Sequence, residues 1–276
     1  MTETLSLRAK IEQSPMGAYQ WMIVVMAAIM NLLDGFDVLA LAFTATAIRG
    51  EFGLTGIELG YLLSAGLFGM TAGSLFLAPL ADKIGRRPLL LMAVSLSAIG
   101  MLGSAFISQY QWLGFWRVIT GLGVGGILVG TNVITSEYSS RKWRSFAISV
   151  YAAGFGIGAV LGGMFAVMLQ GEYGWRSVFL AGAILTGLLL VVLFIWLPES
   201  IDFLTSKQPK NAEVRLNLIA KKIGLAGDWK LPEKAEKVKT KLPISQLFSE
   251  KYLHSTLLIW TAFFAIMFSF YFISSW

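Results

Sequence analysis

The sequence predicts an all-α polytopic membrane protein, and three observations carry that assignment. Apolar residues make up 56% of the chain and charged residues only 14%, which is more apolar surface than a water-soluble globule can cover with polar groups. Seven apolar runs, each near the roughly 20 residues a helix needs to cross a bilayer, occupy 19–43, 59–80, 88–107, 112–136, 146–169, 177–197 and 252–276. The basic residues are sorted by side. With a cytoplasmic N-terminus, the inside segments hold Arg8 and Lys10, then Lys83, Arg86 and Arg87, then Arg141, Lys142 and Arg144, then eleven more in 198–251, nineteen in all. The outside segments hold only Arg49 and Arg176, and Arg117 lies inside a span. Such a bias predicts the N-terminus inside.

Composition also excludes. The chain has no cysteine and one histidine, so disulfide frameworks, thiolate metal sites and two-histidine zinc motifs are impossible. No GxSxG and no GxxxxGK[ST] occurs, which leaves no nucleophile elbow or phosphate loop for a membrane-embedded enzyme. The net charge of +6 arises beside apolar spans, so topology accounts for it and nucleic acid is not an expected partner; the lipid bilayer is.

The first span reads NLLDGFDVLA and contains Asp34 and Asp37. It is too long for a signal-peptide core and no small-residue cleavage site follows, so it is a retained span. Each carboxylate costs about 2.5 to 3.5 kcal/mol at the centre of a membrane helix. Standing three residues apart, the two share a face that must point into the bundle. Gly35 between them leaves backbone room for a ligand or a bend.

The second span carries Gly69 and Gly73 and ends in LADKIGRRPLL, a short charged turn with Asp82, Lys83, Gly85, Arg86 and Arg87. After the third span, the fourth carries RVITGLGVGG, Arg117 to Gly126. Its GxGxxG is not a nucleotide fingerprint, because no strand precedes it, it lies inside a membrane-length run and no acid stands about twenty residues on. Gly121 with Gly125 and Gly126 with Gly130 instead predict close helix packing. The fifth span repeats the device at Gly154, Gly158 and Gly162, suited to either static packing or helix sliding.

Glu137 and Arg144 stand seven apart in the turn after the fourth span, and the sixth span ends in LPES. Between the sixth and seventh spans lie 54 polar-rich residues, in which 211–222 (NAEVRLNLIAKK) predicts an amphipathic helix on the inner membrane face. His254 opens the seventh span as an interfacial residue. The organisation is therefore a six-helix transmembrane bundle over 1–197, a cytoplasmic central loop over 198–251 and a seventh transmembrane helix over 252–276.

Depth relates two of the buried charges. Asp37 lies about six residues below the outer end of span one, and Arg117 about five below the outer end of span four. At about 1.5 Å per residue the levels agree, so an Asp37–Arg117 ion pair is allowed. It either only neutralises buried charge or forms a site in which the carboxylates titrate and Arg117 holds a substrate carboxylate.

The loop DKIGRR, the arginine and glycines of span four and the glycine ridge of span five resemble the major facilitator superfamily. DGFD together with that loop most closely resembles the aromatic acid:proton symporters of bacteria. The resemblance implies uptake of benzoate-like or hydroxybenzoate-like anions across the inner membrane, driven by protons, with no cofactor other than the proton as coupling ion. It implies proton-coupling or substrate roles for Asp34, Asp37 and Arg117, and gating roles for Asp82, Gly85, Arg86, Glu137 and Arg144. In the family the loop aspartate pairs with groups on neighbouring cytoplasmic helix ends. Phe36, Tyr271 and Trp276 are candidates to stack on an aromatic substrate.

Three departures from the pattern stand out: Ala78 where a glycine is usual, no proline in the fifth span, and no second six-helix bundle. The last leads to the expectation that the chain is a fragment of a longer transporter, or alternatively a half-unit requiring a partner. A porter for a sugar, nicotinate or a dicarboxylate, and a non-transporting fragment, remain alternative readings.

Overall fold

In the computed structural model the described residues are 6–225, 227–232 and 248–275, and among them every regular element is a helix. They are α1 (Leu7–Gln13), α2 (Ala18–Phe52), α3 (Gly56–Ile84), α4 (Arg86–Ala105), α5 (Tyr110–Tyr138), α6 (Arg144–Tyr173), α7 (Arg176–Trp196), α8 (Ile201–Lys207), α9 (Ala212–Ile223) and α10 (Glu250–Ser275). Seven of these, α2 to α7 and α10, are long and apolar enough to cross a membrane. They coincide with the seven runs seen in the sequence.

The helix ends follow local chemistry. Helix α2 runs nine residues past the apolar run, through the helix-compatible TATAIRGEF, and stops at Gly53, whose φ of +63° closes the last turn at no steric cost. Thr55 and Glu58 form a reciprocal capping box that starts α3. That helix continues through Pro79 to Ile84 and ends at Gly85, φ +105°. Two short helices escaped sequence analysis. Helix α1 offers only one apolar pair, Leu7 and Ile11, which is too short a repeat to reveal a period. Helix α8 begins at Ser200, whose hydroxyl accepts from the Phe203 amide.

The chain forms two compact units, Met1–Leu231 and Pro232–Trp276. In the first, α5 packs between α3 and α4, α2 lies along α6, and α4 lies along α7. Missing side chains make these approaches possible. A Cβ on Gly69 or Gly73 would strike the α5 main chain at Val118 or Leu122, and one on Gly154 or Gly158 would strike the α2 main chain at Ala28 or Leu32. Gly123 faces Ala93 and Ser97 of α4. The packing role expected of these glycines is therefore observed, whereas Gly156 faces open space.

Two apolar clusters fill the unit. One gathers Leu7, Ile11, Ile23, Met30, Ile134, Tyr138, Leu193, Ile201 and Leu216 at the end that carries the basic turns, here called the basic end. The other gathers Phe36, Leu41, Ile48, Met101, Trp175 and Phe179 toward the opposite end. Helix α9 contributes Ala212, Leu216, Ile219 and Ala220 to the first cluster. The amphipathic helix expected over 211–222 is thus present, but its apolar face seals the bundle rather than lying against lipid. In the second unit, α10 carries a ladder of stacked rings, Phe264, Phe268 and Phe272, at four-residue spacing.

Candidate functional site

Asp34 and Asp37 fall between the two clusters, flanked along α2 by Leu33 of one and Phe36 of the other. Both are 1% exposed and Arg117 of α5 is 3% exposed. Burying a carboxylate is costly unless it is hydrogen-bonded or neutralised, so their partners define the site. Ser97 of α4 donates its hydroxyl proton to Asp37 Oδ2 at 2.6 Å. Arg117 Nη2 donates to the main-chain carbonyl of Asp37 at 2.6 Å, and Nη1 lies 3.4 Å from the Met101 sulfur. The guanidinium sits 5.9 Å from the centroid of the Phe179 ring.

The matched depth of Asp37 and Arg117 is therefore real, but the ion pair that it allows is not formed. No carboxylate oxygen of Asp37 comes within 4.0 Å of an Arg117 nitrogen. The carboxylate has swung toward α4, leaving the carbonyl to the arginine. Asp37 Oδ1 and Arg117 Nε remain buried without a hydrogen-bond partner in the protein.

Asp34 has different surroundings. Asn31, one turn below it, donates to the main-chain carbonyl of Tyr151 of α6 at 2.9 Å. The Tyr151 hydroxyl is hydrogen-bonded to Thr131 Oγ1 of α5 at 3.2 Å. Gly35 offers no room for a ligand, because a Cβ there would collide with the main chain at Phe155 of α6. The space inferred from its missing side chain holds a neighbouring helix.

Phe36 is 3% exposed, and its ring meets the faces left open by Gly162 and Gly182. Core packing occupies it. The side chain of Tyr271 and all of Trp276 lie outside the described residues.

A second constellation stands at the basic end. Asp82 and Arg86 form an ion pair of 3.0 Å across the Gly85 turn, with the Asp82 side chain 66% exposed. Above them Glu199 Oε1 accepts from the main-chain amides of Arg86 and Arg87 at 2.8 and 3.0 Å, and from that of Ser200 at 2.9 Å. A carboxylate there satisfies amides that α4 cannot satisfy itself and sits well against the positive end of the helix dipole. A Cβ on Gly85 would press on that carboxylate. Glu137 accepts from the Ser200 hydroxyl and the Ile201 amide, both at 2.8 Å, and so caps α8.

Glu137 and Arg144, seven apart in the sequence, do not meet. Arg144 instead reaches Glu12 of α1 at 2.5 Å, and Arg8 of α1 pairs with Asp202 of α8. Both partners come from short helices the sequence did not reveal. The hydrogen bond from Arg144 holds the Glu12 carboxyl below its ordinary range, burial opposing it and Arg8 and Arg141 assisting.

Sequence reasoning missed Glu199, Glu12 and Ser97 as site residues. LPES was noticed as a motif, and a helix starting at Gly85-Arg86 without a capping side chain of its own signals an acid from elsewhere. Nothing local points to Glu12 or Ser97.

The family model for the Major Facilitator Superfamily matches residues 27–276. The gallate transporter of Pseudomonas putida is 34% identical over 266 residues, covering 96% of this chain and 59% of that protein. The 4-hydroxybenzoate transporter PcaK of the same organism is 33% identical over 277 residues, covering 99% of this chain and 62% of its own length. The chain thus spans about three fifths of the curated relatives it matches. Among solved structures, the xylose transporter XylE from E. coli in a partially occluded inward-open conformation superposes with a TM-score of 0.65 at 22% identity, over 73% of this chain and 55% of that one.

Proposed function

The chain belongs to the Major Facilitator Superfamily, and on that premise we propose that it supplies the first six helices, and the opening helix of a second bundle, of a proton-coupled importer of aromatic carboxylates. The observation that carries the reading is the Ser97–Asp37–Arg117 centre, a carboxyl and a guanidinium buried in a membrane-length bundle without an ion pair to neutralise them. Buried ionisable groups of this kind mark ion or substrate pathways. Relatives named for gallate and 4-hydroxybenzoate transport support the substrate class.

In this reading Asp37 takes the coupling proton, and Arg117 answers the change in charge beside it. A planar guanidinium recognises a carboxylate bidentately, so a substrate anion competes with the Asp37 carbonyl for Arg117. Loading of proton and anion is thereby linked. Alternating access follows from rocking of one bundle against the other about a midplane site, with Asp82, Gly85, Arg86, Glu137 and Arg144 governing the basic end. That end faces the cytoplasm of a bacterial inner membrane, as the basic residues require. The chemistry is translocation, and no bond of the substrate is made or broken.

The test joins this chain to the remaining helices of the second bundle of the Pseudomonas putida 4-hydroxybenzoate transporter and measures uptake of labelled 4-hydroxybenzoate under an imposed proton gradient. Accumulation that collapses with the gradient is expected. Uptake of xylose, nicotinate or a dicarboxylate in its place would overturn the substrate class.

A further inference from the structure

Three helices engage the Arg117 guanidinium, and a fourth faces it without a polar group. Nη2 donates to the Asp37 carbonyl of α2 at 2.6 Å, Nη1 meets the Met101 sulfur of α4 at 3.4 Å, and the Phe179 ring of α7 has its centroid 5.9 Å away. Nε is left buried without a hydrogen-bond partner in the protein. Because the side chain as a whole is 3% exposed, that N–H cannot turn to bulk water, and a buried donor left unsatisfied calls for an acceptor.

The fourth helix is α3, which meets the guanidinium at Gly66. A Cβ at Gly66 would stand 3.6 Å from Nη2 and 3.8 Å from Nε, nearer to both nitrogens than to Cζ, so it would lie off the Nε–Nη2 edge rather than over the guanidinium plane. Those are ordinary contact distances. Gly69 and Gly73 on the same helix differ, since a Cβ on either would strike the α5 carbonyls of Val118 and Leu122. Packing demands glycine there. At 66 it does not: alanine would fit, and alanine is the better helix former. The missing side chain leaves a gap of roughly one methyl group against two N–H donors, close to the volume that one water or one carboxylate oxygen needs. Gly66 is half-buried, on a helix that turns Tyr61 and Phe68 outward, so the gap lies near the margin of the bundle.

We propose that Gly66 is a specificity-determining position, its missing side chain admitting the carboxylate of the transported acid to the Nε–Nη2 edge of Arg117. One carboxylate oxygen takes the free Nε–H beside the Gly66 Cα, and the other contests Nη2 with the Asp37 carbonyl. That edge presents two parallel N–H bonds, which a planar carboxylate matches bidentately at about 2.7 to 2.9 Å. An alcohol on the same ring carries no charge to offset the guanidinium and is refused. The inference rests on the reading of Arg117 as the arginine that holds the substrate anion, and adds which edge it uses and which residue keeps that edge open.

The test titrates the purified chain, with nitrogen-15 arginine and in lipid nanodiscs, with benzoate and with benzyl alcohol as the uncharged control. Magnetic resonance follows the Arg117 Nε–H signal, identified by its loss in Arg117→Lys. Benzoate is expected to shift that signal saturably and benzyl alcohol to leave it in place. Gly66→Ala should weaken benzoate about tenfold or more, the scale of one lost charge-assisted hydrogen bond, at an unchanged or slightly higher melting temperature. Gly60→Ala, on the same helix and facing open space, adds the same methyl group away from Arg117 and should keep the parent affinity. Should Gly66→Ala fold poorly, dipolar coupling in the unaltered chain decides instead: the carbon-13 carboxyl of bound benzoate must lie within about 4 Å of Arg117 Nε. An Nε signal that benzoate leaves unmoved, equal affinity in Gly66→Ala, or a longer carboxyl distance overturns the proposal. Binding is read at equilibrium without a proton gradient or a second bundle, so failed uptake and failed binding are separate results.

Discussion

Arg117 binds the backbone of Asp37 and not its side chain: Nη2 meets the main-chain carbonyl at 2.6 Å, while the carboxylate turns to Ser97. The carboxylate can therefore change its protonation state without losing that bond, and the arginine can release the carbonyl without breaking an ion pair.

Asp37→Asn follows directly. The amide oxygen still accepts from Ser97 and the carbonyl still serves Arg117, so membrane levels and melting temperature should stay near those of the parent. In the chimera that supplies the second bundle, the proposed function predicts that gradient-driven accumulation falls at least about tenfold while substrate exchange persists, because a neutral side chain imitates the protonated state. Equal loss of both activities at normal expression would remove Asp37 from the coupling site.

Glycines in the α2–α6 seam separate packing from sliding. Gly158→Ala places a methyl group into the Leu32 main chain and should destabilise the purified chain by about 1 to 3 kcal/mol. Gly156→Ala, two residues away and facing open space, should be neutral or slightly stabilising, as alanine is the better helix former. Thermal melts followed by circular dichroism decide, and equal melting temperatures would show that the seam yields.

At the basic end, Glu199→Gln weakens three charge-assisted bonds to main-chain amides and should cost about 1 to 2 kcal/mol. Amide exchange should speed up in the first turn of α4. Asp82→Asn removes only an exposed pair four residues apart in sequence, worth about 0.3 to 0.5 kcal/mol, so a severe loss of transport there, at unchanged stability, would speak for gating.

Acid should loosen α1. The Glu12 carboxyl is held below its ordinary range by Arg144, so the folded state binds this proton less readily than the unfolded state. The stabilisation is complete above the ordinary glutamate range and is lost as pH falls through the lowered value. Glu12 is partly exposed and solvent screening keeps the effect small. The protection factors of the α1 amides, with the pH dependence of intrinsic exchange divided out, should fall on acidification in the parent, and Glu12→Gln should flatten that fall.

The sequence by itself determined what depends on neighbours along the chain: seven spans, from the length of apolar runs against bilayer thickness; close packing at Gly121, Gly125, Gly154 and Gly158, from four-residue spacing; and the burial of Asp34, Asp37 and Arg117, from charges too costly to face lipid. Depth matching even placed Asp37 and Arg117 at one level, since helix rise is constant. Only the tertiary structure decided which atoms meet there. A carboxylate rotates about its own side-chain bonds, so Asp37 faces Ser97, 60 residues away, rather than Arg117. Glu137 caps α8 and Arg144 holds α1, because both helices are too short to show a period and fold only where the bundle end supplies partners. Gly35, legible as missing bulk, is filled by the α6 main chain, a contact between residues 120 apart that no local pattern encodes.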